Sequence, residues 1–312
     1  MTWLVNLLQR LLPTVTVDGD TLDPRVRALI WLGDRRASID TYDPPTARAQ
    51  ALSRQRLMPV PHTDVQTEDF TAAGLSMRKY TPPQATDRAL LFFHGGGFVI
   101  GSLDSHDTLC RLLAQDSGAI IISVDYRLAP EHPFPAAVND ALSAWRWFRE
   151  QPFSRHLVGG DSAGGNLALV IAQQGDVSPD GLLLIYPATD RATHRASRDT
   201  YGHGFMYTTR ISAWFKDHYL PPGIDREDPR VSPVFFKDLR GQPPAHVLVA
   251  GFDILRDEIE AYLERMTDAG VPHTVQREPS LHHGFTALAG ASPTVQRAIR
   301  DCAVALTTLG EP

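Results

Sequence analysis

Apolar residues along this chain recur with two different periods. Up to about residue 55 they stand three and four positions apart: Leu4, Leu7, Leu8, Leu11 and Leu12, then Val26, Leu29, Ile30 and Leu32 within 24–36. That spacing predicts amphipathic helices. Pro44 and Pro45 interrupt the pattern, and residues 47–57 resume it. No strand is predicted before about residue 62. Segments 65–70 and 75–80 then read as short strands around the turn signal Ala73-Gly74. From residue 89 the texture is one of continuous apolar runs, at 89–93, 119–124, 157–158, 181–186 and 246–250, with 273–276 as a last strand. Helical runs separate them at 105–115, 136–150, 166–172 and 258–269, and 294–309 closes the chain.

Continuously apolar strands must be covered on both faces, and their alternation with helices implies right-handed crossovers in a mainly parallel sheet. The expected architecture is therefore a doubly wound α/β fold of eight strands flanked by helices. One section breaks the alternation. Between Pro187 and about Phe236 no strand is predicted, but 208–219 reads as a helix carrying Ile211, Trp214, Phe215 and Tyr219. Such an insertion, placed between two core strands, would lie over the carboxyl ends of the strands, where open α/β sheets keep their ligand crevice.

Composition narrows the function classes. The length of 312 residues fits one α/β domain with an added subdomain. A net charge of −6 argues against nucleic acid or an anionic membrane as partner. No segment approaches the roughly 20 apolar residues of a bilayer span. The leucine-rich start carries Arg10 within its apolar run and lacks a basic leading region, so it reads as a packing helix, not a targeting signal. Cys110 and Cys302 give neither a disulfide framework nor a zinc pattern. Two buried thiols suit a cytoplasmic location.

The chemistry gathers at strand ends. Gly160-Asp161-Ser162-Ala163-Gly164 follows the run 157–158 and precedes a helix, the G-x-S-x-G pattern of a nucleophile elbow. A serine nucleophile needs a base, the base an orienting acid, and the intermediate a set of oxyanion donors. His94-Gly95-Gly96-Gly97 follows the strand 89–93, and glycines there let backbone N–H groups approach a reacting oxygen. Asp253 stands at the end of the run 246–250, with Asp257 and Glu258 as rivals a turn later. Its simpler role would be to cap the next helix. His283 is the candidate base, in Leu281-His282-His283-Gly284-Phe285, with His282 shaping the loop. The chain order Ser162, Asp253, His283 is the order that α/β-hydrolases use.

These motifs, together with Asp125-Tyr126-Arg127-Leu128-Ala129-Pro130-Glu131-His132-Pro133-Phe134-Pro135-Ala136, fall in one family's order. Beyond about residue 60 the chain resembles the hormone-sensitive-lipase-like α/β-hydrolase carboxylesterases, the branch whose elbow reads G-D-S-A-G. The resemblance implies Ser162 as nucleophile, Asp253 as acid, His283 as base, and the N–H groups of Gly96, Gly97 and Ala163 as oxyanion hole. It also implies a structural loop at 126–136, shaped by Arg127 and Glu131. A departure is Ile254, where the family usually has proline. By resemblance, residues 1–55 and 188–236 form a helical cap over a core of 56–187 and 237–312. Trp3, Leu7, Trp31, Phe205, Met206, Trp214 and Phe215 are then candidates for a substrate-covering surface, although each one singly could be plain cap packing.

The expected activity is serine carboxylesterase, hydrolysing short- to medium-chain acyl esters through an acyl-enzyme without metal or organic cofactor. The partner is a small-molecule ester, and the protein is a monomer or homodimer. The alternatives are an amidase or deacetylase with the same triad, a lipase for emulsified fat, or a non-catalytic ligand receptor on this fold, as in the plant gibberellin receptors. Those receptors lack the histidine position that is intact here.

Overall fold

Eight strands form one sheet in a computed structural model that describes residues 2–311. They are β1 (Gln66–Ala72), β2 (Leu75–Thr81), β3 (Arg88–Phe93), β4 (Ile120–Asp125), β5 (Arg155–Asp161), β6 (Gly181–Ile185), β7 (Ala245–Phe252) and β8 (His273–His282). Their order across the sheet is β8-β7-β6-β5-β3-β4-β2-β1. β1 pairs with β2, and β2 with β4, antiparallel; the pairings from β4 to β8 are all parallel. The main helices are α1 (Thr2–Leu11), α2 (Pro24–Gly33), α3 (Pro44–Gln55), α4 (Asp107–Ser117), α5 (Ala136–Phe148), α6 (Ala163–Gln174), α7 (Thr209–Tyr219), α8 (Arg256–Asp268) and α9 (Pro293–Thr308). Because β6 and β7 are buried along their whole length, the sheet needs cover on both sides; α4 packs with α9, and α5 with α6, to provide it.

Local chemistry explains where the elements differ from the sequence reading. Pro44 and Pro45 do not interrupt a helix; they start α3, behind Asp43, whose carboxylate accepts the Thr46 N–H (2.8 Å). Proline's fixed φ and missing N–H suit the first helical positions. A two-stranded hairpin, Thr16–Val17 with Asp20–Thr21, precedes residue 62. Its turn is Asp18-Gly19, both at positive φ, which is the Asp-Gly signature of a tight hairpin. β8 extends well past Gln276 to His282, with a register shift after Glu278 where Pro279 cannot join the ladder. In α1 the buried residues are Val5 and Leu8, while Leu7 and Leu11 face solvent. Cys110 and Cys302 are free and buried. Among the described residues, no helix is long and apolar enough to cross a membrane.

The topology fixes where chemistry can gather. From β3 the chain moves one way to β4, then crosses back to β5 on the other side, so the order reverses between β3 and β5. A crevice opens at the carboxyl ends of strands at such a reversal. The registers Phe93↔Gly160, Asp161↔Ile185, Ile185↔Leu248 and Phe252↔His282 bring these strands to an end nearly level. His94, Ser162, Tyr186, Asp253 and His283 therefore emerge as neighbours along one rim.

Candidate active site

Ser162 joins β5 to α6 at φ 53°, ψ −113°, a backbone conformation that a side chain rarely adopts. Its own N–H donates to the Ile185 carbonyl (2.9 Å), which ties the strained turn to β6. A methyl group at Gly164 would overlap the Phe93 carbonyl oxygen, and one at Gly160 the Gly164 backbone. Glycine is therefore required at both positions for the turn to close. The first turn of α6 leaves free N–H groups beside the serine.

His283 Nε2 lies 2.9 Å from Ser162 Oγ, and His283 Nδ1 lies 2.7 Å from Asp253 Oδ2. The other Asp253 oxygen accepts the Leu255 N–H (2.8 Å), so the carboxylate cannot rotate freely. Ile254 does not displace it: the side chain is buried, and its carbonyl accepts the Ser197 hydroxyl (2.9 Å). The rival acids are engaged elsewhere. Asp257 accepts the Ser197 N–H (2.8 Å); Glu258 accepts the Thr189 and Asp190 N–H groups and pairs with Arg198 (2.6 Å). His282 turns back, its Nδ1 donating to the His283 carbonyl, and burial pushes its pKa down to about 4.

The loop after β3 has Gly96 at φ 116° and Gly97 at φ 60°, values that glycine alone adopts without strain. The Gly96 and Gly97 N–H groups have no acceptor within the described residues. Gly95 N–H donates to Asp161 Oδ1 (2.7 Å), which anchors this loop to the elbow. His106 Nε2 stands 3.2 Å from the same oxygen. Burial alone would raise the Asp161 pKa, but His106 and the Gly95 N–H hold it below the usual carboxylate value. His94 stacks on Tyr126 at 4.3 Å, and the Tyr126 hydroxyl donates to the His94 carbonyl (2.7 Å). The 126–136 loop is itself held by Arg127 on Asp140 (2.6 Å) and by Arg48 of α3 on Glu131 (2.6 Å).

A cavity of about 250 Å³ opens over Ser162 and His283. Ile39, Ala51 and Gln55 reach it from the N-terminal part; Met206, Tyr207, Ile211 and Phe215 reach it from the 188–236 segment. A larger, shallow hollow of about 500 Å³ lies between Arg56, Arg78 and Arg111 and three aspartates. Its charges neutralise one another, as in Arg78 with Asp69 and Arg111 with Asp107 (both 2.6 Å), and none of Ser162, Asp253 and His283 lines it.

A family model described as an alpha/beta hydrolase fold matches residues 90–287, more than half of the chain. The chain is 38% identical over 311 residues to the carboxylic ester hydrolase LipN of Mycobacterium tuberculosis, covering 91% of this chain and 82% of that protein. The chain belongs to the hormone-sensitive-lipase-like family of α/β-hydrolase carboxylesterases. It is also 42% identical over 226 residues to the ethyl acetate hydrolase of Pseudomonas putida, covering 68% of this chain and 71% of that one. Among solved structures, the ester-hydrolase EH1AB1 from the metagenome of Lake Arreo matches with a TM-score of 0.86 at 37% identity, over 92% of this chain and 98% of that one.

In this carboxylesterase the aromatic candidates separate. Met206 and Phe215 line the cavity, and Phe215 lies against Gly97. Phe205 packs on Phe252 at 5.1 Å, and Trp214 packs on Phe215 and His218; neither lines the cavity. Trp3 and Leu7 are exposed, and Trp31 lies under the Arg35 guanidinium. Tyr186 and Tyr207, which the sequence reading passed over, both contact His283. Their only sequence signal is position: Tyr186 directly follows a buried strand in line with the serine, and Tyr207 follows Met206.

Two buried histidines are expected to make the fold of this esterase sensitive to acid. Burial lowers the His94 pKa from 6.5 to about 3 and that of His282 from 6.5 to about 4. In the unfolded chain both take up a proton near pH 6.5, so below that value the unfolded state binds more protons and stability falls. Each contributes a slope of about 1.4 kcal/mol per pH unit until its folded pKa is reached. Urea midpoints measured from pH 7 to pH 4 are expected to fall steadily, and His282→Gln should flatten the decline. A pH-independent midpoint over this range would contradict the buried neutral state.

Proposed function

We propose that Ser162 is the nucleophile, His283 the base, Asp253 the orienting acid, and the N–H groups of Gly96, Gly97 and Ala163 the oxyanion hole. The observation that carries this reading is the unbroken line Asp253 Oδ2 to His283 Nδ1 (2.7 Å) and His283 Nε2 to Ser162 Oγ (2.9 Å), with Ser162, His283, Gly96 and Gly97 lining one cavity. Ser162 attacks the ester carbonyl while His283 takes its proton. Asp253 keeps the second imidazole proton on Nδ1 and stabilises the imidazolium. The carbonyl oxygen becomes an oxyanion facing the glycine N–H groups, each such donor being worth on the order of 10²–10³ in rate. His283 protonates the departing alcohol, then activates the water that releases the acid.

Residues 1–55 and 188–236 act as a cap over this site, with Met206, Ile211 and Phe215 as its inner wall. The cavity of about 250 Å³ lies just below the roughly 300–1,000 Å³ of drug-sized sites, which favours short to medium acyl chains. The buried thiols suit a reducing cytoplasm. Hydrolysis of p-nitrophenyl esters is expected to peak between acetyl and hexanoyl and to fall at least tenfold by palmitoyl. Diethyl p-nitrophenyl phosphate is expected to stop the reaction with one adduct per chain, on the peptide holding Ser162. A peak at palmitoyl would refute the chain-length assignment, and an adduct on another residue would refute the nucleophile.

A further inference from the structure

Asp253 and Ser162 hold the edges of the His283 imidazole, and two aromatic rings pack against it. Tyr186 lies 4.7 Å away between centroids, tilted by 53°, and is fixed in the core by its hydroxyl on Thr286 (2.6 Å). Tyr207 lies 4.5 Å away and nearly parallel, at 29°. The two rings differ in origin. Tyr186 directly follows β6, whereas Tyr207 belongs to the 188–236 segment.

The backbone delivers Tyr207 at a cost. Its N–H donates to the Phe205 carbonyl (2.7 Å) across Met206, which is held at φ 66°. This is a three-residue turn of the rarer hand, strained for any residue with a side chain. Strain of this kind persists only where the surroundings overdetermine it, and it gathers at functional sites. The surroundings here are specific. Phe205 is clamped on Phe252, the residue before Asp253, and the Tyr207 hydroxyl faces Arg191 (3.4 Å). The turn therefore sets one ring against the acid's strand and the next against the imidazole.

We infer that Tyr207 is a positioning residue for His283, so that the base is complete only while the 188–236 segment is seated. This rests on the reading of His283 as the base. An imidazole that swings about its side-chain bonds loses both edge hydrogen bonds together. A flat ring stacked on its face opposes that swing, and the electron-rich face favours the imidazolium formed as Ser162 attacks. Tyr207 also lines the cavity, so a role as mere pocket wall must be separated from a role through His283.

Three variants separate them: Tyr207→Leu, which keeps bulk but loses the flat face, Tyr207→Met as a second such variant should leucine fold poorly, and the conservative Tyr207→Phe. Hydrolysis of p-nitrophenyl acetate gives kcat and KM. The far-downfield proton resonance of His283 Nδ1–H, shared with Asp253, reports the imidazole directly. Leucine or methionine is expected to lower kcat about tenfold with KM within about threefold, and to broaden that resonance. Phenylalanine is expected to restore both to near the wild-type values. A change in KM alone, an unaltered kcat and resonance, or no rescue by phenylalanine would overturn the inference. His283→Ala is the control for the underlying reading. If it stays active, the base assignment fails; if it is inert while Tyr207→Leu is unaffected, only the role of Tyr207 fails.

Discussion

Ser162→Ala is expected to lower kcat by about 10⁶-fold and to leave KM and the fold nearly unchanged. The side reasons favour a clean result. Among the described residues the serine side chain makes one hydrogen bond, with His283 Nε2, and the turn is held by its N–H on the Ile185 carbonyl and by Gly160 and Gly164. Alanine at φ 53° is strained no more than serine, so the elbow keeps its shape. The cavity and the glycine loop remain, and with them substrate binding and the part of catalysis that comes from oxyanion stabilisation. The measurement is steady-state hydrolysis of p-nitrophenyl butyrate, with thermal unfolding as the control for folding. A variant that stays folded and keeps more than about one-hundredth of the activity would remove Ser162 from the mechanism.

The features that could be read from the chain are those in which local physics leaves few alternatives. Continuous apolar runs at β3 to β7 demand a two-sided sheet. A methyl group at Gly96, Gly97, Gly160 or Gly164 would overlap a neighbour, and Gly96 and Gly97 also need a positive φ, so the loop after β3 and the elbow are visible as composition. Asp253 is visible because it closely follows an apolar strand run, and His283 because it stands beyond the last strand, before a glycine, in the chain order Ser162, Asp253, His283. Features set by tertiary contact were not visible. Arg48 looks like any basic residue of an exposed helix, yet it ties α3 to Glu131 and to the Val99 and Ala129 carbonyls. Tyr186 and Tyr207 are aromatic residues in aromatic-rich stretches, and only the folded register puts both against His283. The sequence predicts β8 too short because Arg277, Glu278, Pro279 and Ser280 carry no strand pattern; that edge strand is held by its pairing with β7 instead. The inward face of α1 is not legible for a related reason. With Leu4, Val5, Leu7, Leu8, Leu11 and Leu12 all apolar, periodicity cannot say which side meets α2.

Asp253→Asn is expected to cost about 10⁴ in kcat with little change in KM or stability, and the Leu255 N–H is the reason. Asparagine has the shape of aspartate, so packing is preserved; what changes is that one side-chain oxygen becomes a donor. Asp253 faces two donors, His283 Nδ1–H at 2.7 Å and Leu255 N–H at 2.8 Å, and it is almost fully buried. With its amide group toward Leu255, asparagine would set two donors against each other without water, which leaves buried groups unsatisfied. It therefore turns its oxygen to Leu255 and its amide to His283. The imidazole then accepts at Nδ1 and carries its proton on Nε2, where it can no longer take the proton from Ser162. The base is present, well placed and in the wrong tautomer. Rates measured for wild type, Asp253→Asn and Asp253→Ala decide the point. Asparagine should be no better than alanine despite its closer shape. If asparagine retains a tenth of wild-type activity, His283 is oriented by another acid, and Asp257 and Glu258, although now bound to Ser197 and Arg198, return as the candidates.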